Sequence, residues 1–320
     1  MLQQTQVVTV IPYYQRFLAR FPTLESLAAA PVDDVMPLWS GLGYYARARN
    51  LHAAARMVVT QHGGVFPKTP EVIAQLPGIG RSTANAIAAV CFGARVPILD
   101  GNVKRVLCRA FGIEGIPGTT ALESRLWQYA EKLLPKRSAK HDLSKDIATY
   151  IQAQMDLGAT LCTRSRPQCT ICPLEDICIA HATGRTTELP QKKLRRMIPE
   201  RHTTLLAIMH ENRVLLETRP STGIWGGLHS LPELPANTEA AAHIEKQFGV
   251  CALAVSPAPS FHHAFTHFRL HITPLLCRVS LRPSAMEASF FWLDLTAIDT
   301  AALPTPVKRI LRDLLLSQPA

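Results

Sequence analysis

The chain has no apolar run of membrane-spanning length, and its start carries no signal-peptide pattern. Both absences bear on the cysteines. Eight cysteines in a chain expected to be unsecreted read as metal ligands or buried thiols, not as a disulfide framework. Net charge is missing from one region. Residues 202–320 hold nine basic and nine acidic side chains, a balance of zero, which excludes that stretch as the main seat of a polyanion contact. The +10 of the whole chain lies elsewhere: 19 basic and 13 acidic residues give +6 over 1–184, and six and two give +4 over 185–201. A polyanionic partner therefore belongs to the first part and to the basic stretch behind it. Acids are also absent ahead of Glu25. At 320 residues, 47% of them hydrophobic, the chain is long enough for two domains with proper cores.

What is present gathers between Glu71 and Arg105. Glu71-Val72-Ile73-Ala74-Gln75 reads as a short helical run that stops at Leu76-Pro77-Gly78-Ile79-Gly80. Pro77 ends the run, and Gly78 and Gly80 free the backbone to turn. From Arg81 to Cys91 a helical pattern resumes, with Ala84, Ile87, Ala88 and Cys91 on one face. A glycine turn that opens a helix leaves N–H groups pointing outward, which suits a phosphate. The pattern predicts a helix-hairpin-helix, which holds a nucleic-acid backbone without reading sequence. Beyond it, Ile98-Leu99-Asp100-Gly101-Asn102 sets a carboxylate at the mouth of a helix. Taken singly, a Pro-Gly-x-Gly turn is mostly a turn, and an Asp before Gly is mostly a helix cap. Further on, Cys162, Cys169, Cys172 and Cys178 are separated by six, two and five residues. Zinc ribbons generally offer two close pairs, and only one is present; four thiolates on a compact loop also fit a cubane iron–sulfur cluster. Spacing alone leaves zinc and iron–sulfur both open.

The hairpin, the carboxylate one helix beyond it and the cysteine group together resemble the helix-hairpin-helix DNA glycosylases, the endonuclease III superfamily. In that resemblance Asp100 matches the catalytic aspartate. The cysteine spacing is the family's signature for a [4Fe-4S] cluster on Cys162, Cys169, Cys172 and Cys178. Ser82 falls where bifunctional members carry a lysine that attacks the sugar, and a serine cannot form that Schiff base. Ser82, with Met1-Leu2-Gln3-Gln4-Thr5 and Gly41-Leu42-Gly43-Tyr44-Tyr45-Ala46-Arg47-Ala48-Arg49, is similar to the MutY-type adenine DNA glycosylases, and the similarity extends over nearly the whole chain.

The resemblance implies hydrolysis of the N-glycosidic bond of adenine mispaired with 8-oxoguanine or guanine in double-stranded DNA. It implies a bacterial, cytoplasmic, nucleoid-associated monomer with no membrane partner. The adenine would be flipped into a pocket. Asp100 would stabilise positive charge on the sugar, and Asn102 would orient the acid or the water. Gln4 and Tyr44 would enter the base stack beside the oxidised guanine and fill the gap that extrusion leaves. Gly78, Gly80 and Ser82 would lie along the DNA. Arg47, with Arg49, is either a phosphate contact or a solvated charge. Arg164 and Arg166 lie inside the cysteine loop, where a rigid cluster could hold them against phosphates. Cys91, Cys108, Cys251 and Cys277 lie in apolar runs and read as core thiols.

The leaving adenine also needs a proton. In the family the donor is a glutamate just ahead of the Met-Leu-Gln-Gln run, and here Met1 opens that run. The expectation is a chain short of its general acid and slow or inactive as written. The alternative is a catalytically dead, lesion-DNA-binding fragment.

The rest of the chain predicts a mostly α domain over 1–184, a basic linker over 185–201 and an α/β domain over 202–320. Met1 to Leu18 reads as a helix kinked at Pro12, and Thr23 and Asp33-Asp34 as the starts of two more. Tyr44 to Gln61 is a longer helix ended by Gly63-Gly64. Leu126 to Leu134 and Ile147 to Leu157 are helices around a basic loop, Pro135 to His141. The linker carries Lys192-Lys193 and Arg195-Arg196. After it the period becomes that of strands, at Thr203 to Met209, Arg213 to Thr218, His267 to Leu275 and Phe290 to Trp292, with amphipathic helices at Ala240 to Phe248 and Val307 to Leu316.

Gly223-Ile224-Trp225-Gly226-Gly227-Leu228 resembles the loop of a Nudix-like domain. A working Nudix hydrolase follows it with a glutamate-rich helix that holds magnesium. Ala240 to Gln247 has one acid, Glu245, too few for that site. The resemblance therefore implies a domain that binds rather than hydrolyses. Phe265-Thr266-His267 stands where the adenine glycosylases carry a Phe-Ser-His recognition loop. Threonine keeps the hydroxyl and adds a methyl. His267, with His262 and His263, otherwise reads as a histidine-rich strand edge.

Overall fold

A computed structural model of the protein describes residues 1–3, 5–136, 143–192, 197–220, 222–281 and 289–316. Gln4, most of the basic loop (Arg137, Ser138, Ala139, Lys140, His141) and Lys193, Arg195 and Arg196 of the linker lie outside the described residues. The backbone gathers into two compact units, residues 1–60 with 197–320 and residues 61–196.

Four helices open the chain: α1 (Val7–Arg20), α2 (Leu24–Ala29), α3 (Val32–Trp39) and α4 (Ala46–His62). Helix α1 starts at Val7 instead of Met1 because Gln6 is extended, and Pro12 lies within it on an exposed face. Thr23 caps α2 through a reciprocal pair of bonds with Ser26, 3.1 and 3.2 Å long. Asp33 and Asp34 occupy the first turn of α3, as their charge favours. Helix α4 begins at Ala46, since Tyr44 takes φ +50°, outside the helical region.

Residues 61–196 are helical: α5 (Pro70–Ile73), α6 (Arg81–Phe92), α7 (Gly101–Ala110), α8 (Thr120–Lys132), α9 (Leu143–Asp156) and α10 (Ile179–Ala182). Ala89, Ile98, Val103, Leu126, Ile147 and Ile151 meet in the largest core of this unit. Each Leu or Ile buried there stabilises the fold by about 1.5–3 kcal/mol. The expected linker is partly anchored here. Leu189 is buried, its carbonyl accepts from Arg109 Nε at 2.9 Å, and Arg185 pairs with Glu114 at 2.6 Å.

In the other unit an eight-stranded sheet follows: β1 (Glu200–His210), β2 (Arg213–Thr218), β3 (His229–Ser230), β4 (Glu233–Leu234), β5 (Val250–Pro257), β6 (Phe261–Ala264), β7 (Arg269–Leu281) and β8 (Phe290–Asp294). Helices α11 (Ala240–Phe248) and α12 (Thr305–Leu316) complete it. The order is β3-β2-β1-β7-β5, with β1 and β7 parallel and the other pairings antiparallel. Strand β1 is buried on both faces, and its period of two divides the core. Leu205, Ala207 and Met209 share one cluster with Val35, Met36 and Trp39 of α3 and with Val307 of α12. Leu206 and Ile208 face the opposite way, to Ile244 and Phe248 of α11. Strands β5 and β6 are absent from the sequence-based expectations. After Val250, β5 is largely exposed and carries a bulge between Ala252 and Ala254, so no clean alternation marks it.

Candidate functional site

In the helical unit, Leu76, Pro77, Gly78 and Ile79 form a type II turn. Ile79 N–H donates to Leu76 O at 3.1 Å, proline holds the second position and Gly78 takes φ +75° at the third, a conformation that favours glycine. Gly80 is the N-cap of α6 and supplies no side-chain cap. The first N–H groups of α6 thus stay open toward solvent beside Arg81, whose guanidinium lies 3.9 Å from the Trp127 ring centroid. A turn followed by an open helix end is a phosphate-binding geometry.

Asp100 is the N-cap of α7, with Oδ1 accepting from Val103 N–H at 2.8 Å. It is therefore a cap, as the plainest reading of an Asp before Gly has it. Among the described residues Oδ2 accepts no hydrogen bond, so the capped carboxylate keeps a charged oxygen for another partner. The Asn102 amide is fixed from behind, its Oδ1 accepting from Arg105 Nη2 at 2.8 Å. Arg105 also donates to Gly158 O at 2.6 Å and to Cys162 O at 2.7 Å. Burial pulls the Arg105 guanidinium below its ordinary range, Cys162 opposes, Arg109 adds to the lowering, and Asp100 opposes again. Gly158 sits in a π-turn, Leu157–Leu161, where a Cβ would lie 2.5 Å from Asn102 Cβ. Only glycine lets the two backbones approach this closely.

The four cysteines of the predicted set line one cavity, of about 310 Å³ including its open mouth, together with Arg109, Glu175 and His181. Cys162 follows the π-turn, Cys169 opens one 3-10 turn, Cys172 closes it, and Cys178 caps α10. Burial, and then the other three thiols, push the Cys169 thiol up. A cationic group among the thiols would reverse that effect. Among the described residues no three His, Cys, Asp or Glu side chains converge on a point that could hold a single ion. Four thiols on one cavity are a donor set that a metal ion or an iron–sulfur cluster could take. Arg164 and Arg166 are exposed on this loop.

Arg105 and Arg109 were not singled out by the sequence. Arg109 is 3% exposed with no carboxylate partner among the described residues; it donates to Leu189 O, to Thr163 O at 2.7 Å, to Arg164 O at 3.2 Å and to Cys162 Sγ at 3.4 Å. In sequence both are basic residues on an amphipathic helix. The return of the cysteine loop against α7 brings Cys162 O to Arg105 and Thr163 O, Arg164 O and Cys162 Sγ to Arg109.

The other unit brings a second group together. Tyr44 Oη and Thr266 Oγ1 lie 3.1 Å apart, in hydrogen-bond contact across 222 positions of chain. Thr266 lies in the tight loop between β6 and β7, which Phe265 N–H closes onto Phe268 O at 2.9 Å. The Phe265 ring stacks on Phe268 at 4.4 Å and packs near Trp225 at 6.1 Å, while Thr266 and His267 are exposed. Arg47 is turned inward. It donates to Met1 O, Gln3 O, Thr5 Oγ1 and Gly43 O, and its guanidinium lies 5.6 Å from the Tyr44 ring centroid. Arg49 donates to Gly226 O. The bonds make these arginines internal staples that shape the Gly43-Tyr44 bend, which is neither of the two readings the sequence left open, a phosphate contact or a solvated charge. Near α11, Glu239 accepts from Ala241 and Ala242 N–H and Glu245 accepts from Ala252 N–H, so both carboxylates are engaged by backbone. Of the expected core thiols, Cys108 and Cys277 are buried, Cys251 is half-buried and Cys91 is exposed. Burial pushes Cys108 up to about 11 and Cys277 up to about 12.

Residues 1–132 match the family described as "HhH-GPD superfamily base excision DNA repair protein", and residues 203–313 match the NUDIX domain. The chain is 37% identical over 318 residues to the adenine DNA glycosylase of Buchnera aphidicola subsp. Acyrthosiphon pisum (strain APS), covering 98% of this chain and 87% of that one. It is 32% identical over 371 residues to the adenine DNA glycosylase of Homo sapiens, covering 98% of this chain and 66% of that one. Among solved structures it is similar to a thermostable thymine-DNA glycosylase, 26% identical with a TM-score of 0.48, covering 57% of this chain and 80% of that chain. No helix among the described residues is long and apolar enough to cross a membrane.

Proposed function

The chain belongs to the adenine DNA glycosylase family of base-excision repair enzymes, and from that premise we propose that it removes adenine paired with 8-oxoguanine, and with guanine more slowly, from double-stranded DNA. The observation that carries this reading is the contact of the Tyr44 and Thr266 hydroxyls at 3.1 Å. An exposed aromatic wedge and an exposed hydroxyl reader meet at one point of one unit. A flat ring can fill the stack beside a damaged base, and the threonine hydroxyl can donate to an oxidised purine edge or accept from it. In this reading residues 1–184 form the glycosylase domain, 185–201 a basic linker and 202–320 the lesion reader. With Glu239 and Glu245 held by backbone N–H groups, the Nudix-like part serves as a binding module.

Asp100 is the carboxylate that faces the sugar. Loss of the base leaves positive charge on the ring, and the open Oδ2 stabilises that charge while Val103 N–H holds Oδ1; water then adds to the sugar carbon as hydroxide, and its proton goes to the departing adenine. Asn102, held by Arg105, orients the acid or the attacking water. The Gly78–Gly80 turn and the first N–H groups of α6 grip the phosphate backbone, with Arg164 and Arg166 as further contacts. Ser82 carries no amine, so the cleavage is hydrolytic. Cys162, Cys169, Cys172 and Cys178 would hold a [4Fe-4S] cluster, which when bound cross-links the loop and can exchange an electron. Arg109, with its N–H against Cys162 Sγ, would offset ligand charge there with the cluster in place.

The test is single-turnover excision of adenine opposite 8-oxoguanine and opposite guanine, with wild type, Thr266→Ala and Tyr44→Ala. A preference for 8-oxoguanine that shrinks in both variants supports the reading. Equal rates on the two duplexes in the wild type would remove the lesion-reader assignment.

A further inference from the structure

Ser82 enters the proposed function only through the amine it lacks, yet its hydroxyl has a partner of its own. Ser82 Oγ accepts from Leu99 N–H at 3.0 Å. One turn along α6, Asn85 Nδ2 donates to Pro97 O at 2.7 Å. Leu99 is 4% exposed and Asn85 6%, so water does not readily replace either bond. The next residue in the chain is Asp100. Two side chains on one face of α6 therefore hold the incoming segment by its backbone, at Pro97 and again immediately ahead of the carboxylate. Burial of Ile98 and Leu99 fixes how deep the segment sits. It does not fix translation along the segment, because apolar contact is not directional. The two hydrogen bonds do. Helix α6 is also the helix that the Gly78–Gly80 turn opens, so the phosphate-gripping turn and the carboxylate are both referenced to one rigid element.

We propose that Ser82 is a positioning residue: by accepting from Leu99 N–H, with Asn85 as its second point of hold, it sets where Asp100 stands relative to the hairpin. The proposal rests on the reading of Asp100 as the carboxylate that faces the sugar. It gives the hydroxyl a role that threonine can share and alanine cannot. A lysine ammonium, with three donors and no acceptor, cannot fill the role either.

The experiment compares wild type, Ser82→Ala and Ser82→Thr as purified full-length chains in two measurements. Hydrogen–deuterium exchange over residues 96–101 reads the hold on the segment, and single-turnover excision at saturating duplex reads its consequence. In Ser82→Ala the segment is expected to exchange faster and excision to fall about tenfold, inside the roughly 10²-fold that a misplacement of about 1 Å can cost. Ser82→Thr should restore both readings. Unchanged exchange in Ser82→Ala overturns the proposal, and so does faster exchange with undiminished excision. If the wild type excises no adenine, the functional reading fails, while the exchange comparison still decides whether Ser82 orders the segment. Should Ser82→Ala fail to fold, Ser82→Cys carries the same comparison, since a thiol of similar shape is a much weaker acceptor.

Discussion

The surroundings of Asp100 and those of Thr266 are built on opposite plans. Asp100 stands in a segment whose backbone is tied at Pro97, Leu99 and Val103, and the neighbouring Asn102 is braced by Arg105. Every one of those partners is half-buried or buried. Thr266 is exposed on a tight loop, and its side chain meets Tyr44 through one hydroxyl pair. The first arrangement suits chemistry, where misplacement of a charge by a fraction of an ångström is costly. The second suits recognition, where hydroxyls must exchange each other for a base. The two regions should therefore fail differently. Damage near Asp100 should reduce rate without changing preference, and damage at Thr266 should reduce preference with less effect on rate.

The largest expected effect is at Asp100. Asp100→Asn should lower single-turnover excision by about 10²–10³-fold or more, the range seen when one electrostatic stabiliser is removed. Its preference for 8-oxoguanine over guanine in binding should persist, and a binding titration against both duplexes checks this. Loss of preference in that variant would break the proposed division between chemistry and recognition.

The cysteine cavity comes next. Purified protein should be brown and carry about four irons per chain, measured by metal analysis and visible absorbance. Cys172→Ser should lower iron content, soluble yield and duplex affinity far more than Cys251→Ser, because Cys172 lines the cavity and Cys251 does not. Stoichiometric zinc without colour would remove the cluster. Equal effects of the two changes would detach the cavity from DNA binding.

Thr266→Ala should reduce discrimination by about 2–10-fold, the worth of one net hydrogen bond. Thr266→Ser should keep most of it, and competition between the two duplexes at fixed salt measures both. An unaltered ratio in Thr266→Ala would put the reader elsewhere in the chain.

The smallest effect is on stability with pH. Burial holds His263 below the usual imidazole range, and His229 shifts the same way through burial, with Asp33 opposing. An unfolded imidazole titrates near about pH 6.5, so below that pH the unfolded chain binds more protons than the folded one. The contribution is complete above about pH 6.5 and is lost as pH falls through the folded value. The melting temperature should drop on acidification, and His263→Phe should flatten part of the drop. A profile identical in the two proteins would mean that His263 does not titrate in the transition.

Where sequence was enough, the structure is local. The Leu76–Gly80 turn, the Asp100 cap and the cysteine spacing are set by residues a few positions apart, so propensity and chemistry of single residues reveal them. Helices α6, α11 and α12 follow from periodicity in the same way. Beyond that range the sequence is silent. Arg105 and Arg109 look like surface charges until the cysteine loop folds back on α7. Nothing in Val35, Met36 and Trp39 says that they share a core with Leu205 and Val307. The helical pattern from Tyr44 begins two residues ahead of α4 because propensity cannot see a left-handed residue at its mouth. Arg47 reads as a phosphate contact or a solvated charge and instead staples the chain around that residue.

Tyr44, at φ +50°, is a large side chain in a backbone conformation where glycine would rest more easily. The left-handed region costs a non-glycine residue about 1–2 kcal/mol. A library screened only for heat resistance should therefore favour Tyr44→Gly, which relaxes the backbone and gives up one hydroxyl contact and the ring beside the Arg47 guanidinium. A library screened for preference between duplexes should discard the same change. The position is one where selection for durability and selection for use pull apart, and the side chain present is the one that durability alone would not choose.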